Sequence, residues 1–203
     1  EVLGDNVLAL TATSKFVPKR ELDAAIKFCA ENDIRQIIFE ADVLNFDGVK
    51  DNPVDRCYLC KRELFKNFLR IADNKILVEG SNMDDLSDYR PGAKAIAELR
   101  IKSPLQAAEL YKAEIRELSR EMNLPTWNKP SMACLASRFV YGEEITEEKL
   151  RMIDRAEQVL IERGFFEERV RMHGSSLARI EVPREDIPRL AEEETREAVL
   201  KAF

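Results

Sequence analysis

The chain of 203 residues is long enough for one large domain or two small ones, either able to bury a real core. Apolar residues make up 45% and charged residues 34%, which excludes a disordered chain, and no apolar run approaches the roughly 20 residues of a membrane helix. A net charge of −6, from 38 acidic against 32 basic residues, argues against a nucleic-acid partner, and four cysteines without a secretory signal indicate a reducing, cytoplasmic setting.

Asn6 to Thr11 is short and apolar, bounded by Gly4-Asp5 and Ala12-Thr13-Ser14, and predicts a buried strand. Pro18 suits a first helical turn, and Leu22, Ala25, Ile26 and Cys29 share one face of the helix that follows, with Cys29 in the core. Ile34 to Phe39 predicts a second strand. Residues 40–56 lack periodicity and carry Asn45, Asp47, Gly48, Asn52 and Pro53, the composition of a long and therefore functional or disordered loop. Leu64, Phe65, Phe68, Leu69 and Ala72 predict a helix from Lys61 to Ala72, and Lys75 to Val78 a third strand. Strands alternating with helices imply a parallel sheet covered on both faces, with ligands beyond the strands' carboxyl ends. Three polar loops fall there: Thr11 to Ser14, Glu40 to Arg56, and Glu79 to Asp88.

A helix from about Ala108 to Met122 closes at Asn123-Leu124-Pro125, and the aperiodic stretch to Tyr141 places a domain junction near Lys129, dividing residues 1–128 from residues 129–203. Thr146 can cap a helix with Leu150, Ile153, Val159 and Leu160 inward, ended by Gly164. Glu168 to Met172 and Leu177 to Val182 predict strands flanking His173-Gly174-Ser175-Ser176, and a last helix runs from about Ile187. A two-stranded sheet alone is marginal, so this half is expected to lack a strand or borrow one from a partner, and a homo-oligomer is expected. The chain reads as incomplete at both ends.

Cys57 and Cys60 form a C-x-x-C where the long loop meets a helix, a position that favours thiolate, with Arg56, Lys61 and Arg62 adding positive charge. Zinc, a redox disulfide and an iron–sulfur ligand set all remain open; Cys134 and the sole histidine, His173, are the further ligands in reach of such a count. Cys134 lies in an irregular run between Pro130 and Arg138, either as a small buried hydrophobe or as a thiol activated by Arg138. Strand alternation puts Arg169, Arg171 and His173 on one face, with Arg179 and Glu181 on the partner strand's matching face. That face is either solvated or a bidentate holder of phosphate or carboxylate. The acidic loop from Glu79 to Asp85 suits a nucleotide or Mg²⁺, and Lys112 and Arg116, four apart on one helical face, meet either solvent or a phosphate.

Taken together, Asn52 to Lys61 (NPVDRCYLCK), Glu79 to Gly92 (EGSNMDDLSDYRPG), Ser103 to Leu105, Lys112 to Leu118, Lys129 to Gly142 (KPSMACLASRFVYG) and Arg169 to Val182 (RVRMHGSSLARIEV) resemble the LarE-type ATP-dependent sulfur transferases, a branch of the PP-loop ATP pyrophosphatases. The run around Cys134 and the DYRPG run are specific; the glycine-serine-asparagine loop is shared with NAD synthetases. The resemblance implies an α/β fold, a parallel sheet flanked by helices of the adenine nucleotide alpha-hydrolase type with its N-terminal part missing, followed by a small α+β C-terminal domain that binds substrate and transfers sulfur. It implies adenylation of a carboxylate on a pyridinium dicarboxylate mononucleotide, then displacement of AMP by sulfur to give the thiocarboxylate of the nickel-pincer nucleotide cofactor. ATP with Mg²⁺ would fall to Ala12, Ser14, Gly80, Asn82, Asp85, Lys112 and Arg116. Substrate would fall to Ser137, Arg138, Glu157, Arg169, Arg171 and Glu181. In one version the cysteine matching Cys134 gives up its own sulfur. In the version with an added C-x-x-C, which this chain resembles, Cys57, Cys60 and Cys134 hold a [4Fe-4S] cluster whose open iron carries sulfide from an external donor. The family's serine-glycine-glycine-x-aspartate-serine loop is absent, since the chain starts downstream of its place. A tRNA-thiolating pyrophosphatase and a non-catalytic zinc- or nucleotide-binding module are the alternatives.

Overall fold

The computed structural model describes residues 3–174 and 176–203, so Ser175 of the predicted turn lies outside the described residues. In chain order the elements are β1 (Ala9–Thr13), α1 (Lys19–Glu31), β2 (Gln36–Glu40), α2 (Arg56–Ala72), α3 (Ala93–Glu98), α4 (Pro104–Ala107), α5 (Lys112–Glu121), α6 (Glu147–Ile161), β3 (Arg169–His173), β4 (Leu177–Glu181), α7 (Ile187–Ala191) and α8 (Glu193–Ala202). They belong to two compact units. One takes the chain up to Asn45 with Lys50–Pro53 and Met132–Phe203; the other takes Phe46–Val49 and Val54–Ser131.

The first unit holds both sheets. β1 and β2 pair in parallel, with Ala9 opposite Gln36 and Thr13 opposite Glu40. The class is mixed α/β, but among the described residues the parallel sheet is confined to these two strands, and Ile37 and Ile38 stay 40% and 42% exposed instead of being covered on both faces. On α1, Cys29 is buried as expected, whereas Ile26 faces outward. β3 and β4 form an antiparallel hairpin, Arg169 opposite Glu181 and His173 opposite Leu177. Its apolar face and α6 share a core of Ala156, Leu160, Phe165, Val170 and Val199, joined by Val159, Ile180, Val182 and Leu190. Thr146 Oγ1 accepts from Lys149 N at 3.3 Å to cap α6, and Gly164, at φ +79, turns the chain out of it. Leu160 and Phe165 are wholly buried; each such side chain contributes about 1.5–3 kcal/mol over its exposed state.

The second unit is helical. α2 ends where Asp73 and Asn74 take left-handed backbone angles, and it packs on α3, whose Ala95 and Ile96 are buried. Tyr58 of α2 lies under Lys94 of α3 at 4.5 Å and donates to Glu98 at 2.9 Å. The expected third strand shrinks to a single bridge, Val78 to Lys102, because Pro104 opens α4 two residues later and leaves no partner to pair with. The helix expected over Ala108 to Met122 is interrupted as well: Glu109, at φ +56, reverses the chain, and a fresh start at Lys112 is capped by Glu114 accepting from Tyr111 N.

Candidate active site

Cys134 stands at the N-terminal cap of a short 3₁₀ turn, Leu135–Arg138. Leu135, Ala136, Arg138 and Phe139 are buried around it, and Phe139 bridges Met172 of β3. The thiol itself is half-buried and not in a disulfide. Behind the turn, the Arg138 side chain is 2% exposed and that of Glu157 is 0% exposed. Arg138 Nε donates to Glu157 Oε1 at 2.7 Å and Nη2 to Oε2 at 3.2 Å, a two-pronged pair. Nη1 turns to the loop itself, donating to Ala133 O at 2.9 Å, Cys134 O at 3.4 Å and Ser137 Oγ at 2.9 Å. Arg138 and Glu157, expected among the substrate contacts, thus meet each other, and the arginine fixes the backbone that carries Cys134.

Beside this loop runs the arginine face of the hairpin. Arg171 Nε donates to Glu181 Oε1 at 2.8 Å, while its Nη1 donates to Ser137 O, also at 2.8 Å. Arg179, directly opposite Arg171 in the register, donates to the same Glu181 oxygen at 2.7 Å. The Arg171 guanidinium, with Arg179 behind it, holds the Glu181 carboxyl below the usual carboxylate range. The Arg169 side chain has no hydrogen bond or ion pair among the described residues. Arg171 and Arg179 therefore share one carboxylate and the Arg169 side chain engages none, leaving donors over for an anionic ligand. His173 closes the row, its Nε2 buried without a partner among the described residues.

Glu168 precedes β3 and is 5% exposed. Burial pushes its carboxyl above the usual range and the nearby Glu157 charge adds to this, while Arg20 and Arg138 oppose it. A carboxyl with a raised folded-state pKa weakens the fold as pH climbs from its unfolded pKa through its folded one. Glu168→Gln is thus expected to melt higher than the wild type at neutral pH, with the difference vanishing below the ordinary carboxylate range. Melting curves across pH check this; an equal offset at every pH would contradict it.

In the same unit, Ala12 lies in β1 and Ser14 in the turn after it, where Ser14 Oγ accepts from Phe16 N at 3.2 Å. The other expected nucleotide contacts lie in the second unit. Asn82 caps a 3₁₀ turn, accepting from Asp84 N at 3.0 Å, and Asp85 Oδ2 in turn accepts from Asn82 N at 3.0 Å. Gly80 has open space beside it. Lys112 N donates to Asp84 Oδ2 at 2.7 Å and its Nζ to Ser131 Oγ at 2.6 Å, while Arg116 reaches Lys129 O at 3.4 Å. A cavity of about 470 Å³ opens here, lined among others by Lys61, Ser81, Asp85, Arg90 and Ser103. Gly92 allows Lys61 to lie along its wall, since a Cβ at Gly92 would stand 2.6 Å from Lys61 Cδ. The sequence marks the runs holding these residues, but it gives Lys61 only a charge beside the C-x-x-C pair and Arg90 and Ser103 no role.

Cys57 and Cys60 occupy the first turns of α2, which begins five residues earlier than its apolar period indicated. Three apart, they are neighbours on one helical face, and Arg56 Nη2 donates to Cys57 Sγ at 3.6 Å. Neither is in a disulfide and both are half-buried, a donor set chemically suited to soft thiophilic metal. Among the described residues no three His, Cys, Asp or Glu side chains gather into a metal-binding group.

The half-buried Cys134 thiol, on a loop pinned by Arg138 and beside arginines with donors to spare, forms a site suited to an anionic ligand. Comparison with known proteins gives the family. An uncharacterized protein of Synechocystis is 37% identical over 206 residues, spanning all of this chain and 76% of its own length. The pyridinium-3,5-bisthiocarboxylic acid mononucleotide synthase of Lactiplantibacillus plantarum is 35% identical over 187 residues, 90% of this chain and 67% of that protein. An uncharacterized protein of Methanocaldococcus jannaschii is 32% identical over 165 residues, 79% of this chain and 63% of its own length. No family model matches the chain. The chain belongs to the LarE-type sulfur transferases.

Proposed function

We propose that the protein is an ATP-dependent sulfur transferase that converts carboxylates of pyridinium-3,5-biscarboxylic acid mononucleotide to thiocarboxylates, for the nickel-pincer nucleotide cofactor. The observation that carries this reading is the Cys134 loop, pinned by Arg138 beside the arginine face of the hairpin, in a chain 35% identical to a pyridinium-3,5-bisthiocarboxylic acid mononucleotide synthase. A substrate carboxylate attacks the α-phosphorus of ATP and pyrophosphate leaves; a sulfur nucleophile then attacks the acyl carbon and AMP departs with the C–O bond electrons. Arg169 and Arg171 hold the mononucleotide phosphate, and Glu181 keeps Arg171 turned toward Ser137. Ala12 and Ser14, with Gly80, Asn82, Asp85, Lys112 and Arg116, bind ATP and Mg²⁺ in a PP-loop type of domain. Cys57, Cys60 and Cys134 would hold a [4Fe-4S] cluster, which when bound would supply the sulfide. We also place the protein in the cytoplasm, as a homo-oligomer.

Anaerobic reconstitution of the protein with iron and sulfide tests the cysteine assignment. A brown product with a four-iron spectroscopic signature is expected, lost in Cys57→Ala or Cys60→Ala. A colourless protein whose Cys134 loses the mass of hydrogen sulfide during turnover would replace the cluster with a sacrificial cysteine.

A further inference from the structure

The pair Arg138–Glu157 does not stand alone. Arg20, in the first turn of α1, reaches the same carboxylate: its Nη1 is ion-paired with Asp154 Oδ1, and its Nη2 lies 3.8 Å from Glu157 Oε2. Asp154 and Glu157 are three apart on α6, so both point toward α1. The Arg20 side chain is 23% exposed, yet Nε and Nη2 are individually buried and have no hydrogen-bond partner among the described residues. An arginine whose buried N–H groups are left unpaired costs the fold free energy unless its charge does something there. Its charge has a clear object. Glu157 is wholly buried, and both its oxygens are committed, Oε1 to Arg138 Nε and Val170 N, Oε2 to Arg138 Nη2. Glu168 also stands close enough to raise the local negative charge. With Arg138 alone, three carboxylates would face one cation.

A second link joins the same two segments. Leu135 N, the residue after Cys134, donates to Phe16 O at 2.9 Å, and Phe16 is 3% exposed. Phe16 in turn donates its own N–H to Ser14 Oγ. The turn from Ser14 through Phe16 to Arg20 therefore touches the Cys134 loop twice: once through backbone, and once through Arg20, Glu157 and Arg138 in succession.

We infer that Arg20 is a positioning residue for Cys134, holding its loop through Glu157 and Arg138 and so tying that loop to the turn that carries Ser14. The first half stands on the contacts alone; the importance of Ser14 rests on the nucleotide reading proposed above. Arg20 touches neither the thiol nor a ligand. It keeps Glu157 seated, which keeps Arg138 Nη1 on Ala133 O and Cys134 O. A nucleotide pressing on the turn at Ser14 would be felt at Cys134 because the two segments are one hydrogen-bonded body.

The test compares the full-length protein with its Arg20→Met and Arg20→Lys variants by amide hydrogen exchange and steady-state sulfur transfer. In Arg20→Met, exchange in the peptide covering Cys134 to Phe139 is expected to speed up by roughly tenfold or more, while peptides from α8 keep wild-type rates. The kcat for sulfur transfer should fall about tenfold with KM for the pyridinium substrate unchanged, and Arg20→Lys, which keeps the charge, should recover most of both. Unchanged exchange at Cys134 to Phe139, or a uniform acceleration across the chain, would overturn the inference. So would faster exchange with wild-type kcat. The exchange measurement needs no turnover, so a wild-type protein that transfers no sulfur would sink the proposed function and still leave Arg20 judged on exchange. Should Arg20→Met fail to fold, Asp154→Asn, which frees one arm of Arg20 and keeps the charge, is read the same way with a smaller change expected.

Discussion

Glu157→Ala is expected to be the most damaging single substitution to stability, costing about 3–5 kcal/mol and roughly 10 °C or more in melting temperature. The magnitude follows from what is left behind. Arg138, 2% exposed, would keep a full charge with its two partner oxygens gone, and Val170 N would lose its acceptor. An unpaired buried cation costs far more than the pair was worth as a pair, since bringing both charges out of water had already consumed most of their attraction. Glu157→Gln separates the two contributions: it keeps a carbonyl oxygen for Val170 N or Arg138 but removes the charge, and a smaller loss is expected. Arg179→Ala serves as the control, because that arginine is 55% exposed and its bond to Glu181 is worth at most about 1 kcal/mol. Chemical denaturation of the three variants decides the matter. A Glu157→Ala protein that unfolds with the wild-type midpoint would mean that Arg138 escapes to solvent, and the loop at Cys134 would then owe its position to something else.

That pair also marks where the sequence stops being readable. The helix from Glu147 was legible because Thr146, Gly164 and the spacing of Leu150, Ile153 and Leu160 are all local signals that agree. Strand alternation likewise placed Arg169 and Arg171 on one face, and the apolar helix face correctly buried Cys29. Arg138 stands out in the sequence for its closeness to Cys134, yet its burial depends on Glu157, nineteen residues on, and no local pattern announces a partner at that distance. Nothing local marks Arg20, because an arginine in the first turn of an amphipathic helix normally faces water. The failures of secondary structure have the same origin. Val78 has the residues of a strand but lacks a partner strand, and Glu109 adopts a left-handed conformation that its side chain does not signal. Patterns with a fixed period were readable; contacts made across the chain were not.

Cys134→Ala is expected to lower sulfur transfer by at least about a thousandfold while barely touching stability. The stability half follows from the structure: Cys134 is half-buried, and the loop is held by Arg138 through backbone oxygens that alanine retains. Pyrophosphate release, which needs only ATP and the substrate carboxylate, should persist, so the variant would stall at the adenylate. What Cys57 and Cys60 do then separates the two sulfur routes. If the three cysteines act together on one metal group, Cys57→Ala and Cys60→Ala should each lose as much activity as Cys134→Ala, and combining them should cost nothing further, because groups that act as a unit are not additive. If Cys134 instead gives away its own sulfur, Cys57→Ala and Cys60→Ala would keep transferring, but no preparation could exceed one sulfur per chain. Measuring product per chain alongside pyrophosphate per chain, for the wild type and the three variants, answers both questions in one series. More than one thiocarboxylate per chain, together with inactivity of all three cysteine variants, is the result expected here. A single turnover with active Cys57→Ala would confine the sulfur chemistry to Cys134, and the helix-borne pair on α2 would need another purpose.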